Sequence, residues 1–135
     1  MGVATTYNRP AMSSPLPPAS ATPRQRSGFL AEQRALDYLL SRGLRLVERN
    51  FRAKVGELDL VMADGEQLVV VEVRRRASAD WGGAAASVDA AKQARVRRAA
   101  TVFLAARFGE RRWPPVRFDV VAVDGDRMRW LRAAF

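Results

Sequence analysis

The sequence predicts an α/β domain in which a mixed sheet is flanked by helices, and three observations lead to this prediction. Two segments carry apolar residues at helical spacing, and five shorter segments have the composition of strands, in the order αβββαββ. The chain has 135 residues and is 48% hydrophobic, which suits one domain with a substantial core. No internal repeat interrupts this order, so we expect one folded domain.

The chain begins with a segment for which no secondary structure is predicted, residues 1–26. Five prolines lie in this segment among serine, threonine and alanine, and it contains no acidic residue. Such a composition cannot bury enough apolar surface to offset the entropy lost on ordering. We therefore expect a disordered tail over residues 1–26 and a folded domain over residues 27–135.

Two helices are predicted from their end signals and their apolar stripes. Ser27 can cap the first helix, which continues to about residue 42, and Gly43 can end it. Ser87 can cap the second helix, and Gly109 can end it. The apolar stripes consist of Leu36, Leu39 and Leu40 in the first helix and of Val96, Ala99, Ala100 and Phe103 in the second.

Strands are predicted where β-branched and other apolar residues follow one another between turn residues. Asp64-Gly65 is a strong hairpin signal between the second and third strands, and Asp124-Gly125 is a turn before the last one. The predicted strands cover residues 44–52, 57–63, 67–75 and 116–123, followed by a short strand through Trp130.

The composition excludes several classes of site. The chain has no cysteine and no histidine, which excludes disulfides, thiolate or imidazole metal sites and histidine-based nucleophile systems, so any metal must have oxygen ligands. No apolar run approaches the ~20 residues of a membrane span, and no secretory signal is recognised, so we expect a soluble cytoplasmic protein. The net charge of +9 suits a polyanionic partner, and equally an arginine-rich solvated surface.

Acidic residues interrupt two neighbouring predicted strands. In the second strand, alternation places Glu57 and Asp59 on one face and Leu58, Leu60 and Met62 on the other. In the third strand Glu72 interrupts an almost wholly apolar run, and Arg74 shares its face. Because the strands are joined by a hairpin, Asp59 and Glu72 share a face if the loop length is even.

The length of the Asp64-Gly65 loop decides which acidic residue faces Glu72. A two-residue loop places Glu57 opposite Glu72 with Asp59 on the diagonal, whereas a four-residue loop places Asp59 directly opposite. A three-residue loop would put Asp59 and Glu72 on different faces. The Asp-Gly pair favours an even loop.

Carboxylates that converge in a partly buried place repel one another and lose hydration unless a cation neutralises them. Mg²⁺ and Mn²⁺ prefer carboxylate and water oxygens, and either ion can lower the pKa of a bound water beside a phosphate. The alternative is a structural one, in which Glu72 pairs with an internal arginine and Asp59 caps a turn.

A resemblance to a known family is spread over nearly all of the chain after the tail. It is carried by residues 28–39 with Ala31-Glu32, by Arg49-Asn50-Phe51-Arg52, Gly56-Glu57-Leu58-Asp59-Leu60, Val71-Glu72-Val73-Arg74, Gly82-Gly83, Lys92-Gln93 and Arg117-Phe118-Asp119-Val120-Val121. Together these segments resemble the YraN family of uncharacterised bacterial proteins, which are regarded as endonucleases distantly similar to archaeal Holliday-junction resolvases.

The resemblance implies a restriction-endonuclease-like αβββαβ core, here with a short extra C-terminal strand. It also implies a PD-(D/E)XK site, in which Asp59 and Glu72 bind Mg²⁺ or Mn²⁺ and Glu32 approaches from the first helix. The motif has lysine where this sequence has Arg74. Arginine keeps its proton and can only orient water or clamp phosphate by charge, so Lys54 or Lys92 could supply the ammonium from another element.

The function expected from these observations is that of a metal-dependent, structure-selective endonuclease with Glu32, Asp59, Glu72 and Arg74 as catalytic residues. DNA is favoured over RNA as the partner, no membrane is involved, and a homodimer is compatible with the sequence. The alternatives are an inactive nucleic-acid-binding module and a protein-interaction domain. The candidate contacts to nucleic acid are Lys92, Gln93, Arg95, Arg98, Arg75 and Arg76, for which a solvated helix surface is the competing interpretation.

Two further observations concern single residues. Arg117 and Asp119 alternate with apolar residues on a predicted strand, and we expect them to form a structural ion pair. Trp81 beside two glycines either stacks on a base or packs within its loop.

Overall fold

The structure is a computed structural model, and it describes residues 17–75 and 87–135. Within these residues the order αβββαββ confirms the predicted fold class. The Trp81-Gly82-Gly83 loop and Arg76 lie outside the described residues. The elements are helix α1 (Pro23–Ser41), strands β1 (Arg45–Ala53), β2 (Gly56–Asp64) and β3 (Gln67–Arg75), helix α2 (Ala90–Phe108), and strands β4 (Val116–Asp124) and β5 (Arg127–Leu131).

Both helices begin at residues other than the predicted caps. At α1 the Thr22 hydroxyl accepts a hydrogen bond from the Gln25 amide at 3.1 Å, and the Gln25 side chain accepts one from the Thr22 amide at 2.8 Å. This capping box satisfies two donors at once, so Ser27 was the wrong cap and α1 begins within the segment assigned to the tail. At α2 the cap is Asp89, which accepts from the Lys92 amide, and Ser87 was wrong.

The five strands form one mixed sheet in the order β1-β2-β3-β4-β5. Strands β3 and β4 are parallel, and the other neighbours are antiparallel. A parallel pair needs a crossover connection, which contains α2. Helix α1 packs on one face of the sheet and α2 on the other, which confirms the predicted arrangement. No helix in the described part of the chain is long and apolar enough to cross a membrane.

The β2–β3 hairpin has the even register in which Asp59 and Glu72 follow directly after the last paired residues, Leu60 and Val71. Asp64 pairs with Gln67 and Ala63 with Leu68, so the alternative with Glu57 opposite Glu72 was wrong. Gly65 in the turn has a φ of 63°, a conformation that glycine adopts without strain. The regular ladder ends at the Leu60–Val71 pair, one position before the two acidic residues.

Strand β2 changes its orientation at Asp59. Leu60 packs on the α1 face of the sheet, whereas Leu58 packs in the cluster on the α2 face, so the expected common face for these leucines was wrong. On the neighbouring strand Asn50 lies between the Arg49–Leu60 and Phe51–Leu58 pairs and has a φ of 55°. Because an alternating strand would put both leucines on one side, the chain must be irregular here.

Gly56 at the start of β2 lies against the backbone of α2. A Cβ at this position would be 2.8 Å from the carbonyl oxygen of Arg95, a separation that a real side chain does not tolerate. Since the obstacle is a helix backbone, the Gly56→Ala variant must displace α2. We expect its free energy of unfolding to fall by about 1–3 kcal/mol, measured by urea denaturation.

The matched control is Gly28→Ala, in the interior of α1. A Cβ added at Gly28 meets no atom within 4 Å. Alanine also favours the helix, so this variant should gain about 0.5–1 kcal/mol. Equal stabilities for the two variants would contradict the close approach of Gly56 to α2.

Candidate functional site

An open cleft of about 410 Å³ lies where α1, the ends of β2 and β3 and the start of α2 meet. Glu32 reaches it from α1, Asp59 from β2 and Arg74 from β3. Lys92 enters from the first turn of α2. The fourth predicted catalytic residue, Glu72, forms an ion pair with Lys92, so all four predicted residues meet at this place.

Asp59 is tied to the neighbouring strand through its carboxylate. Its Oδ2 accepts a hydrogen bond from the backbone amide of Val73 at 2.9 Å, which takes the place of a regular ladder contact. Burial raises the pKa of Asp59, while the Val73 amide and the charges of Lys92 and Arg74 lower it. The carboxyl group of Asp59 is therefore held in a poorly hydrated place, where its charged form is disfavoured by burial and favoured by these partners.

Glu72 is the most deeply buried acidic group of this site, with 1% of its surface exposed. Its Oε1 lies 3.5 Å from the Lys92 ammonium, and its Oε2 has no hydrogen-bond partner among the described residues. Burial and the charge of Asp59 raise the pKa of Glu72 to about 8, and Lys92 opposes this rise. The charges of Lys92 and Arg74 thus offset only part of the effect of burial and of the neighbouring Asp59.

Glu32 adds a third carboxyl group from α1. Burial and the charge of Asp59 raise its pKa to about 7, while Arg49 and a hydrogen bond with Asn50 lower it. Glu57, which the sequence placed near this site, is exposed and contributes a weaker repulsion. Three carboxyl groups with raised pKa values in one cleft resemble the sites in which proteins bind cations or move protons.

The three basic residues considered for the role of the motif lysine have different surroundings. Arg74 donates from Nη2 to the carbonyl oxygen of Ser87 at 3.0 Å, and its buried Nε has no hydrogen-bond partner among residues 17–75 and 87–135. Lys92 brings its ammonium to Glu72. Lys54 is exposed in the turn between β1 and β2 and does not line the cleft. Of the two lysines considered from the sequence, Lys92 is the one at the site.

The residues at this site fit a hard divalent cation held by few protein ligands. Asp59 and Glu72 supply carboxylate oxygens, one of which lacks a partner, and Mg²⁺ is usually held by one or two carboxylates with water in the remaining positions. No three acidic side chains of the described residues are spaced to share one ion directly. Glu32 would accordingly reach such an ion through water.

The residues predicted to contact nucleic acid are not all brought together. Arg75 lines the cleft and donates to the Ser27 hydroxyl at 2.9 Å. Gln93 turns back to the carbonyl oxygen of Val88 at 2.9 Å. Arg95 and Arg98 are exposed on α2 and do not line the cleft. Lys92 and Arg75 are therefore the candidates that lie at the carboxylates.

The sequence did not single out Arg49 and Asn50 at this site. Arg49 donates to Gln33 at 2.8 Å and lies over the Phe29 ring, close enough to Glu32 to lower its pKa. A positive φ at Asn50 has no certain sequence signal, although asparagine tolerates this conformation better than most residues. Only the packing of α1 on β1 reveals their proximity to Glu32.

The family model and the similar proteins all indicate the same family. The model of "Uncharacterised protein family UPF0102" matches residues 31–123. A UPF0102 protein of Bordetella parapertussis is 48% identical, with 96% of this chain and 76% of the relative covered. One of Cupriavidus metallidurans is 55% identical, with 90% and 87% covered, and one of Ralstonia nicotianae is 50% identical, with 92% and 97% covered. The chain therefore belongs to the UPF0102 family, also called YraN, which the sequence resembled.

Proposed function

We propose that this protein is a metal-dependent endonuclease that hydrolyses phosphodiester bonds in nucleic acid, with DNA as the favoured substrate. The observation that carries the proposal is the meeting of Glu32, Asp59 and Glu72 at one cleft, where the pKa of each carboxyl group is raised although Lys92 and Arg74 lie beside them. A divalent cation would offset the burial and mutual repulsion of these groups in their ionised form. Selection by substrate structure is favoured because basic side chains contact phosphates without reading bases.

Asp59 and Glu72 would hold a Mg²⁺ or Mn²⁺ ion. When bound, the ion lowers the pKa of water and neutralises negative charge on the phosphate. Glu32 has a pKa of about 7 and can accept a proton from the attacking water near neutral pH. The water oxygen forms a bond to phosphorus, the ester P–O bond breaks, and the leaving oxygen takes a proton from solvent.

Lys92 would take the role that the lysine has in the PD-(D/E)XK motif, whose position on β3 is occupied here by Arg74. Its ammonium at Glu72 can donate hydrogen bonds to water or to a phosphate oxygen at the cleft. Arg74 acts differently, because its guanidinium binds the backbone at Ser87, just before α2. It thus fixes the segment that carries Lys92. With this division, arginine at the motif position does not deprive the site of an ammonium.

A second candidate is a nucleic-acid-binding module without catalysis. It is favoured by the ion pair between Glu72 and Lys92, which neutralises part of the site without a metal. In this case the basic groups would hold phosphates, and the carboxylates would only position Lys92. The two candidates differ in whether a divalent cation changes the nucleic acid.

The test is an endonuclease assay with the full chain on branched, flapped and single-stranded DNA, in Mg²⁺, in Mn²⁺ and in a chelator. We expect metal-dependent cleavage that the Asp59→Asn variant lowers by more than ~100-fold, because losing even an outer partner of a metal ligand costs 10–100-fold. Glu110→Gln is the control, since Glu110 is exposed after the end of α2 and does not line the cleft.

The outcomes separate the two candidates. Cleavage that needs the metal and Asp59, and survives in Glu110→Gln, supports the nuclease. Metal-independent binding without any cleavage, unchanged by Asp59→Asn, supports the module and overturns the nuclease.

A further inference from the structure

We infer that the substrate enters this site as a single strand, which lies along the N-terminal half of α1 and crosses Gly28. The inference rests on the proposed nuclease function and names the form of nucleic acid that the site accepts. Its basis is a groove that extends beyond the carboxylates on both sides, together with the chemistry of the side chains that line each end.

The groove consists of three adjoining clefts. On the β1 side, a cleft of about 400 Å³ shares Gly28 and Glu32 with the central cleft. On the β4 side, a cleft of about 510 Å³ shares Ala31 and Arg75 with it. Because each neighbour has two lining residues in common with the central cleft, the three form one path with the carboxylates in the middle.

The β1 side offers an aromatic ring and an uncompensated charge. Phe29 lines this cleft together with Arg52, which is exposed and whose side chain makes no hydrogen bond or ion pair in the described ranges. Behind Phe29, Nε and Nη2 of Arg49 are buried donors that have no partner in the described part of the chain. Aromatic surface combined with arginine is typical of grooves that bind single strands through bases and backbone.

Three arginines line the β4 side; Arg34 forms an ion pair with Asp126, whereas Arg26 and Arg75 have only uncharged partners. Arg26 donates to the carbonyl oxygens of Ala19 and Ala21, and Arg75 donates to the Ser27 hydroxyl. These partners are uncharged, and neither arginine forms an ion pair with a described acidic residue. Both can therefore attract a phosphate without first losing a carboxylate partner.

The depth of the carboxylates favours a single strand over a duplex. Glu72 is almost completely buried, and Asp59 is partly buried at the meeting point of two helices and two strands. A duplex holds its phosphates on a stiff cylinder, whereas a single strand bends freely and can bring one phosphate into the cleft. Gly28 leaves the passage open, because a Cβ there would meet no atom within 4 Å.

The test places a large side chain in this passage. Gly28→Trp should fill the junction between the central and β1-side clefts, and Ala106→Trp adds the same ring at an exposed position of α2 as a control. Binding is measured by fluorescence anisotropy in a chelator, with labelled oligothymidylate and oligouridylate of about 15 nucleotides and a duplex of equal length. The DNA and RNA oligonucleotides are measured separately, so the comparison shows which of the two the groove prefers.

We expect the full wild-type chain to bind a single strand more tightly than the duplex, and Gly28→Trp to weaken single-strand binding at least ~10-fold while Ala106→Trp does not. A second variant, Arg52→Ala, should reduce the slope of log K against log salt by about 0.7 through the loss of one phosphate contact. This variant keeps the inference testable if Gly28→Trp does not fold, which circular dichroism would detect.

Tighter binding of the duplex, or unchanged binding and salt slope in the two variants, would overturn the inference. Because these measurements contain no metal, they are independent of catalysis. Single-strand binding that Gly28→Trp abolishes, in a protein that never cleaves, would support the groove and overturn the nuclease. Metal-dependent cleavage with unchanged single-strand binding in both variants would support the nuclease and overturn the groove.

Discussion

Asp119→Asn is expected to lower the free energy of unfolding by at least about 1.5–3 kcal/mol, the usual contribution of one hydrogen bond to a charged group. The Asp119 carboxylate is fully buried and accepts four hydrogen bonds at 2.8–2.9 Å. Two come from the Arg117 guanidinium, one from the Trp130 indole and one from the Ala133 amide. An asparagine amide lacks the charge and would present its own N–H groups to some of these donors.

The measurement is urea denaturation at neutral pH, followed by tryptophan fluorescence and circular dichroism. Asp126→Asn is the matched control, because Asp126 is 98% exposed and lies 3.7 Å from Arg34. Exposed pairs of this kind contribute little, so the control should change stability by less than about 0.5 kcal/mol. A loss below ~1 kcal/mol in Asp119→Asn would show that the four hydrogen bonds do not anchor β5 and the residues after it to β4.

Glu72→Gln is expected to stabilise the protein at alkaline pH and to leave it nearly unchanged at acidic pH. The pKa of Glu72 is raised from 4.5 to about 8 in the folded protein, so the folded state binds this proton more tightly than the unfolded state. Stability from this group is therefore present below about pH 4.5 and is lost as the pH rises to about 8. At about 1.4 kcal/mol for each pKa unit, the loss is about 3–5 kcal/mol.

The experiment compares the unfolding free energies of wild type and Glu72→Gln between about pH 5 and pH 8. The difference should be small at the acidic end and should favour the variant at the alkaline end. Glu66→Gln, an exposed change in the β2–β3 turn, is the control and should leave stability unchanged. An equal effect of Glu72→Gln at all pH values would contradict the raised pKa.

The same variant also reports on the cation. If Mn²⁺ binds the folded protein at Asp59 and Glu72, its addition at alkaline pH should stabilise wild type by mass action, and Glu72→Gln should lose much of this effect. Equal stabilisation of both proteins would place the ion elsewhere.

Local patterns in the sequence determined the order of the elements and the placement of Asp59 and Glu72 close together on neighbouring strands. Apolar periodicity gave the strands and helices, and Asp64-Gly65 gave the hairpin with an even register. A hairpin joins residues that are close in sequence, so its register can be derived from the turn and the alternation. The Arg117–Asp119 pair was predictable for the same reason, since the two residues lie two positions apart on one strand.

The helix caps and the reversal at Asp59 required the three-dimensional structure. Thr22 and Asp89 compete with nearby serines of similar capping preference, and the geometry of each first turn decides between them. The change of side between Leu58 and Leu60 depends on the backbone at Asn50, which belongs to another strand. A period-two pattern assumes a regular strand and cannot show this irregularity.

Tertiary structure alone decided which ammonium lies beside Asp59 and Glu72. Lys92 reaches Glu72 because β3 and β4 are parallel and the crossover returns α2 across the sheet. Arg74, two residues after Glu72, donates a hydrogen bond to the carbonyl oxygen of Ser87 instead. Glu32 lies near Asp59 only because α1 packs against the sheet. Local periodicity fixes the side of a strand on which a residue lies, but long-range packing fixes what lies opposite it.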